Sequence, residues 1–495
     1  MTNTRNQPVN PEDDAGDLLW EIAPHRRIKV PVRVHAGSQF APSAETIAAL
    51  ERIAALDGIV GPIIALPDLH HKPKLECPSS MAVAMREHVV LGLSSPSPNC
   101  GMTLVRTALH SDDADDATLD ALFGELVQRL PLKRRQAALS TEQMLQVMLK
   151  GAGPAVALYD LAPSTPDYMD QGGNALPQDI ETQAVLQAVP PALREIGRHT
   201  FGQVGKGNHF LELQAVDEIH DEPVARSWGL EKGQLVVMYH ADSGYLGAFA
   251  GRLYAHRRKN TWRGRLYEWR IKLPFQLSTG QARRLLQRVN YHMIPRQLMP
   301  IPARAPEAQR ALLALGAASN YAYANRLAVL AALRDSLRAV WGKLHPEPTL
   351  LWDAPHNGIR RETVGGQDLW VHRHNAARVE PPSQTPANSP FANTGQPVLL
   401  PGSDRTSSYL CVAGKGAAHT LHSADHGAGR SALQLGRPLD NGKTTRLYTY
   451  KNGLNTLRPH LSDDGLEKVL AALKNHNIAR PVARLRPLAV LKGQA

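Results

Sequence analysis

The sequence predicts a mixed α/β protein, and three observations carry that expectation. Short apolar runs of strand length recur along the chain, segments with apolar residues at helical spacing lie between them, and a hydrophobic share of 43% suffices for a buried core. At 495 residues the length alone leaves the domain count open, because large mixed α/β enzymes reach this size as one body.

The elements follow in order. Residues 1–22 read as a polar, flexible leader: Met1 to Asp17 is acid-rich and lacks the apolar core of a signal peptide. Ile28 to His35 alternates apolar and polar residues as a half-buried strand does. Thr46 to Leu56 repeats apolar residues at helical spacing, and Gly58 to Pro67 reads as a buried strand ending in a turn. Helical patterns fill residues 110–200, broken by a surface excursion rich in Pro, Asp and Gly around Pro163 to Pro177. Phe210 to Leu213 and Leu235 to Tyr239 each adjoin a glycine and a histidine, like strand edges delivering side chains to a cleft. Residues 276–341 are largely helical and end in an amphipathic, core-packing stretch from Tyr321 to Trp341. Glu380 to Thr394 has the Pro, Ser and Asn content of a flexible loop, and strand-like segments resume at Val398. There is no internal repeat.

Composition excludes some classes of function. Lys and Arg number 56 against 45 Asp and Glu, a formal charge of +11, so the surface attracts polyanions such as nucleic acid. Cys77, Cys100 and Cys411 are too few and too dispersed for a disulfide framework, which points to a reducing cytoplasm. No stretch offers the ~18 uninterrupted apolar residues of a membrane span.

Four segments have residue types suited to chemistry. In Leu421 to Arg430, LHSADHGAGR, small residues allow close backbone approach to a phosphate, Arg430 offers charge, and His426 offers a nucleophilic imidazole. A glycine-rich turn with an exposed histidine explains the same residues. Cys100, His209, His240 and His356 each sit in a short polar interruption between apolar runs, and thiolate and imidazole are transition-metal donors. Their spacing matches no local metal motif, so scattered structural histidines are the alternative. Asp68 and His70 end an apolar run, where a carboxylate orients an imidazole or caps a turn. Residues 252–272 interleave cations with Tyr254, Trp262, Tyr267 and Trp269, the pattern of a base-stacking phosphate binder or of a helix with a solvated basic face.

Taken in order, VPVRVH, GIVGPIIALPDLH, NCGM, GKGNHFLEL, ANR, HNGIRRE, QPVLLPGSDRTSSYL, HGAGR and IARPVARLRPLAVLKG resemble the RtcB family of RNA ligases over nearly the whole chain. The resemblance implies a single large α/β domain over residues 23–495, with a central metal and nucleotide cleft and helical excursions over about 110–200 and 250–341. It implies joining of RNA 3′-phosphate or 2′,3′-cyclic phosphate ends to 5′-hydroxyl ends, in tRNA splicing or RNA repair. GTP is the implied cosubstrate, and His426 the residue that carries GMP, with Asp68 positioning it. Cys100 would bridge two manganese ions, with His209, His240 and His356 as further ligands. Guanylate would be held by Asn208, Glu212, Ser403, the Gly427, Ala428 and Gly429 backbone, and Lys492. Archease enters as an implied activating partner, and a monomer is expected.

The chain departs from the family pattern at named places. Ser97 stands where an aspartate is expected three residues before the metal cysteine. The segment after the Asp-x-His reads HKPKLECPSS, His374 replaces an expected lysine, and the serine–arginine pair after HGAGR is absent. These changes spare the guanylylation residues and alter the surroundings of the metal and the RNA end. Two further readings therefore stay open: a guanylyltransferase capping 3′-phosphate ends of RNA or DNA, and a non-catalytic RNA-end-binding protein.

Overall fold

The computed structural model describes residues 19–25, 28–35, 42–95, 97–254, 261–278, 298–342, 347–451 and 453–493. In chain order their strands are β1 (Leu19–Ile22), β2 (Val32–His35), β3 (Ile59–His70), β4 (Ser79–Met85), β5 (His88–Val89), β6 (Gly101–His110), β7 (Phe210–Ile219), β8 (Gln234–Ala241), β9 (Ile301–Pro302) and β10 (Thr349–Pro355). They continue with β11 (Asn357–Val364), β12 (Gln367–His374), β13 (Ala376–Arg378), β14 (Pro397–Leu400), β15 (Ser408–Ala413), β16 (Ser423–Asp425), β17 (Thr444–Thr449), β18 (Gly453–Pro459) and β19 (Ala479–Lys492). A nine-stranded sheet runs β10-β6-β8-β7-β19-β15-β14, with β17 and β18 attached beside β19. A six-stranded sheet runs β1-β2-β3-β4-β12-β11.

The apolar runs became these strands for simple reasons. All eight residues of β8, QLVVMYHA, are buried, because neighbours flank it on both edges and other layers cover its faces. The run after Gly58 does not turn at Pro67: β3 continues to His70, and its pairing with β4 breaks between Ala65 and His70. Proline lacks an N–H to donate, so the strand absorbs Pro67 in that irregularity. Residues 1–18 of the expected leader lie outside the described residues, whereas Leu19 to Ile22 form β1 against β2.

Helices α1 (Ala44–Ala54), α2 (Asp116–Arg129), α3 (Thr141–Lys150), α4 (Ala152–Leu158), α5 (Thr182–Ala188), α6 (Pro191–Thr200), α7 (Glu222–Ser227), α8 (Gly244–Tyr254), α9 (Trp262–Tyr267), α10 (Leu273–Ser278), α11 (Pro306–Trp341), α12 (Gly429–Leu435) and α13 (Asp464–Asn475) complete the chain. The stretch expected to be amphipathic is the second half of α11, a 36-residue helix in which every residue from Ala317 to Ala331 is buried. Helices α2, α3, α4, α5 and α8 surround it, and its many alanines permit that close approach. One apolar core reaches from Val89 through α11 to Leu491, tying the helical excursions to the nine-stranded sheet in a single mixed α/β domain.

Two expectations are sharpened. The Pro163 to Pro177 segment does run over the surface, with Pro163, Ser164, Asp167, Gln171, Gly172 and Pro177 exposed, but Asp170, 1% exposed, anchors it by ion pairs with Arg360 and Arg378. Its Pro, Asp and Gly content signals turns, but the cations that draw Asp170 inward lie about two hundred residues away in sequence. Residues 380–394 do form turns, yet Phe391 pins them by packing edge-on against Trp352, with ring centroids 5.1 Å apart. Among the described residues no helix is long and apolar enough to cross a membrane.

Candidate active site

Sheet register gathers the four candidate metal donors. The ladders pair Gly101 with Ala241, Phe210 with His240, and Pro355 with Gly101. Cys100 just before β6, His209 just before β7, His240 near the end of β8 and His356 just after β10 therefore meet on one edge. Cys100 Sγ lies 3.0 Å from His240 Nε2 and 3.4 Å from His209 Nε2. His240 Nε2 lies 3.3 Å from His356 Nε2. Burial, reinforced by neighbouring histidines, holds His240 and His356 well below the ordinary histidine range, and burial pushes the Cys100 thiol well above its own. His240 Nδ1 faces the Asn208 carbonyl at 3.3 Å, which leaves the Nε2 lone pair for the cluster. A buried sulfur and two imidazole nitrogens converge within 4.8 Å of one another, with His356 adjoining them and its Nδ1 without a hydrogen-bond partner, so this donor set fits a transition metal.

The turn Ser97-Pro98-Asn99-Cys100 is held from behind. Asn99 has φ 54°, and its carbonyl accepts a hydrogen bond from Arg326 Nη1 at 2.7 Å. Arg326 also reaches Asn99 Oδ1 at 3.0 Å and binds both carboxylate oxygens of Asp353 at 2.6 and 2.7 Å. In the sequence Arg326 stands out only as part of ANR, and nothing local ties it to Asn99 or Asp353. A cation inside an alanine-rich, otherwise uncharged helical run was the available signal.

His426 arrives from another direction. Strand β16 pairs Asp425 with Ala376 of β13, and the Ala376 amide donates to the His356 carbonyl at 3.0 Å. This brings the His426 ring against the His356 ring, with centroids 4.3 Å apart. Burial takes His426 down to about 3; Lys72, His70 and His374 act in the same direction, and the Asn375 backbone opposes them. Asp68 sits behind this strand: its carboxylate accepts from Ser431 Oγ at 2.6 Å, and its amide donates to Asp425 Oδ1 at 3.2 Å. Its link to His426 thus runs through the preceding residue. Burial raises Asp68 to about 6. His70 Nδ1 is anchored by the Asp68 carbonyl at 2.7 Å, with the nearer carboxylate oxygen at 3.8 Å.

The remaining candidates cluster around the Pro401–Ser403 turn. The Ala428 amide donates to the Pro401 carbonyl at 2.8 Å, and a Cβ on Gly429 would stand 2.9 Å from the Gly402 carbonyl oxygen, so only glycine lets these backbones touch. Lys492 Nζ pairs with Asp404 Oδ2 at 3.1 Å. Glu212, opposite Val490 on the neighbouring strand, is pushed up to about 8 by burial, Asp404 adding to the rise and Lys492 opposing it. Asp404 was not singled out from the sequence. The Asn208 side chain is exposed at the rim.

The interleaved cations and aromatics divide. Tyr254 and Tyr267 are buried, their hydroxyls donating to the Ala188 and Phe249 carbonyls, while Trp262 and Trp269 are 70% and 64% exposed. Residues 255–260 lie outside the described residues.

Comparison with known proteins places this arrangement. The family model described as tRNA-splicing ligase RtcB matches residues 49–493. The chain belongs to the RtcB family. Curated relatives named tRNA-splicing ligase RtcB include one from Nanoarchaeum equitans, 28% identical, with 96% of this chain and 98% of the relative covered. Another, from Pyrobaculum aerophilum, is 28% identical and covers 99% of this chain and all of the relative, and one from Thermococcus kodakarensis is 29% identical over 96% and 98%. The RtcB match spans the nine-stranded sheet, β3, β4, β11 and β12 of the six-stranded sheet, and α11, so the four-donor edge, the His426 strand and the Pro401–Ser403 turn all lie within it.

Proposed function

We propose that this RtcB chain is a GTP- and manganese-dependent RNA ligase that joins 3′-phosphate or 2′,3′-cyclic phosphate ends to 5′-hydroxyl ends through a histidine–GMP intermediate, in tRNA splicing or RNA repair. The observation that carries the reading is the placement of His426, a ring's width from His356 in the four-donor cluster and next to the glycine-lined Pro401–Ser403 turn. A nitrogen of His426 attacks the α-phosphorus of GTP, forming a P–N bond as the α–β P–O bond breaks and pyrophosphate leaves. Where the RNA ends in a 2′,3′-cyclic phosphate, water first opens the P–O2′ bond to leave a 3′-phosphate; an oxygen of that 3′-phosphate then takes the guanylate, breaking the P–N bond and freeing His426. The 5′-hydroxyl attacks that phosphate, loses its proton, and expels GMP.

Each group of residues has a task in this scheme. Divalent cations held by Cys100, His209, His240 and His356 would neutralise phosphate charge as bonds exchange. Manganese is the proposed occupant, although sulfur and nitrogen donors alone favour zinc. Glu212 would accept from the guanine N–H groups, Asn208, Ser403 and the Gly427–Gly429 backbone would line the nucleotide, and Lys492 would balance anionic charge. Asp68 would hold the strand that presents His426. Archease is the proposed activator.

One observation favours a second reading, 3′-end capping without sealing. His374, in place of an expected lysine, is turned back by contacts from its Nδ1 to the Pro78 carbonyl at 2.7 Å and Cys77 Sγ at 3.1 Å, which leaves one cation fewer for the RNA end. Labelled GTP with manganese should give an acid-labile protein adduct that vanishes in His426→Ala. Adding 3′-phosphate and 5′-hydroxyl RNA strands then separates sealing from an accumulating guanylated 3′ end. Absence of any adduct would sink both enzymatic readings and leave RNA-end binding.

A further inference from the structure

Cys100, His209 and His240 form one trio whose donor atoms all lie within 4.8 Å of one another. His356 adjoins the trio through His240, with the two Nε2 atoms 3.3 Å apart. Asp242 adjoins it through His209, with Asp242 Oδ2 standing 3.7 Å from His209 Nε2. Cations bound at about 2.0–2.3 Å from their ligands hold neighbouring donor atoms roughly 3–4 Å apart. The Cys100–His209 and His209–Asp242 separations both fall in that range. A carboxylate here supplies the hard oxygen donor that the sulfur and nitrogen set lacks.

Hydrogen bonds set Asp242 in this place. Ser97 Oγ donates to Asp242 Oδ2, and Asp242 Oδ1 accepts from the Gly244 amide at 2.7 Å. The Asp242 carbonyl accepts from Asn325 Nδ2 at 3.2 Å, and next door Ser243 Oγ donates to the Pro98 carbonyl at 2.9 Å. The start of α8 is therefore locked onto the turn that carries Cys100. That lock leaves no room at Gly247, where a Cβ would fall 1.7 Å from Ser243 Oγ.

We propose that Asp242 is the carboxylate ligand of the metal position on the His209 side, taking over from position 97, and that Ser97 orients it by hydrogen bond. The inference rests on the metal-dependent reading above. The acid has moved from the cysteine turn to the neighbouring helix entry, and a serine at position 97 is the residue this geometry requires: small enough to admit the Asp242 carboxylate and able to donate to it.

Manganese binding to the full-length protein tests this without reference to catalysis, by titration calorimetry and by the electron paramagnetic resonance signal of free manganese. The wild type should bind two ions per chain and Cys100→Ala should lose both. Asp242→Asn, which retains an oxygen to accept from Gly244, should weaken one ion at least about tenfold, as even outer-sphere partners of ligands do, and leave the other intact. Ser97→Asp added to Asp242→Asn should restore the second ion, a rescue that a role confined to capping α8 would not give. Two ions bound unchanged by Asp242→Asn, or a single wild-type ion indifferent to that substitution, would overturn the assignment of Asp242 while leaving a metal at Cys100. No binding by the wild type would instead remove the metal reading on which the inference rests.

Discussion

Replacing Arg326 by methionine should weaken the fold and the metal site together, and the two effects can be separated. Arg326 and Asp353 are completely buried, joined by two short hydrogen bonds, and Thr103 Oγ1 adds a third bond to the carboxylate at 2.7 Å. Removing one partner of such a pair leaves an uncompensated buried charge, at a cost of about 3–5 kcal/mol. With an unfolding entropy near 2.1 cal/mol/K per residue, a cooperative domain of this size loses about 1 °C per kcal/mol, so the melting temperature of Arg326→Met should fall by about 3–5 °C. The double variant Arg326→Met with Asp353→Leu exchanges the pair for apolar side chains of similar volume and should recover most of that loss. It cannot recover the two bonds from Arg326 to Asn99 that hold the Cys100 turn. Calorimetric manganese titration of the double variant should therefore still show affinity reduced by about tenfold or more. A double variant with wild-type stability and wild-type manganese affinity would refute the idea that Arg326 positions the turn.

Further expectations concern two buried acids and the exposed basic patch. Glu212, raised to about 8, is largely neutral near pH 7, whereas guanine N–H donors favour the carboxylate; GTP binding should release a proton, and affinity should rise with pH until about 8. Binding heats compared across buffers of different ionisation enthalpy measure this, and a release of zero would contradict it. The stability of the free protein runs the other way, because an acid raised by folding contributes fully below 4.5 and loses that contribution as pH climbs to about 8. Burial alone would raise Asp170, but Arg360 and Arg378 outweigh it and hold the carboxyl below its ordinary range. Its contribution is present above about pH 4 and is lost as pH falls through the lowered value, so Asp170→Asn should cost about 3 kcal/mol near neutrality and flatten the acid limb of the melting profile; an unaltered limb would count against the ion-pair account. Neutralising the exposed Arg263, Arg265 and Arg270 should lower the salt slope of single-stranded RNA binding by about 0.7 for each phosphate no longer neutralised. Trp262→Ala or Trp269→Ala should weaken binding by about 1–3 kcal/mol if the ring stacks on a base. An unchanged slope and affinity would remove this patch from the RNA path.

How much was legible in the sequence depended on whether the signal was local. Apolar runs at Phe210 and Leu235 announced β7 and β8, since burial on both faces demands such residues. Helical spacing found α1 within two residues at each end. The convergence of Cys100, His209, His240 and His356 was invisible locally, because it is made by the register of four strands whose donors lie 256 positions apart from first to last. Only the ordered series of segments suggested it. The anchoring role of Asp170 was hidden for the same reason, its cationic partners being remote. The core-packing expectation for Tyr321 to Trp341 is met in α11, but hydropathy does not reveal how many neighbours a helix has, and the polar Asn320, Asn325 and Arg326 are buried and hydrogen-bonded there.

The edge on which the four donors meet also determines what a folding error does. Side chains on a strand alternate between faces, so sliding β8 by one residue against β6 would turn His240 to the opposite side and bring Met238 and Tyr239 out of their layers as well. No intermediate displacement exists between one register and the next. A chain caught in the shifted register would lack His240 at the site and should be inactive rather than weakly active. A single-residue insertion inside β6, β7 or β8 carries the penalty of losing the site outright.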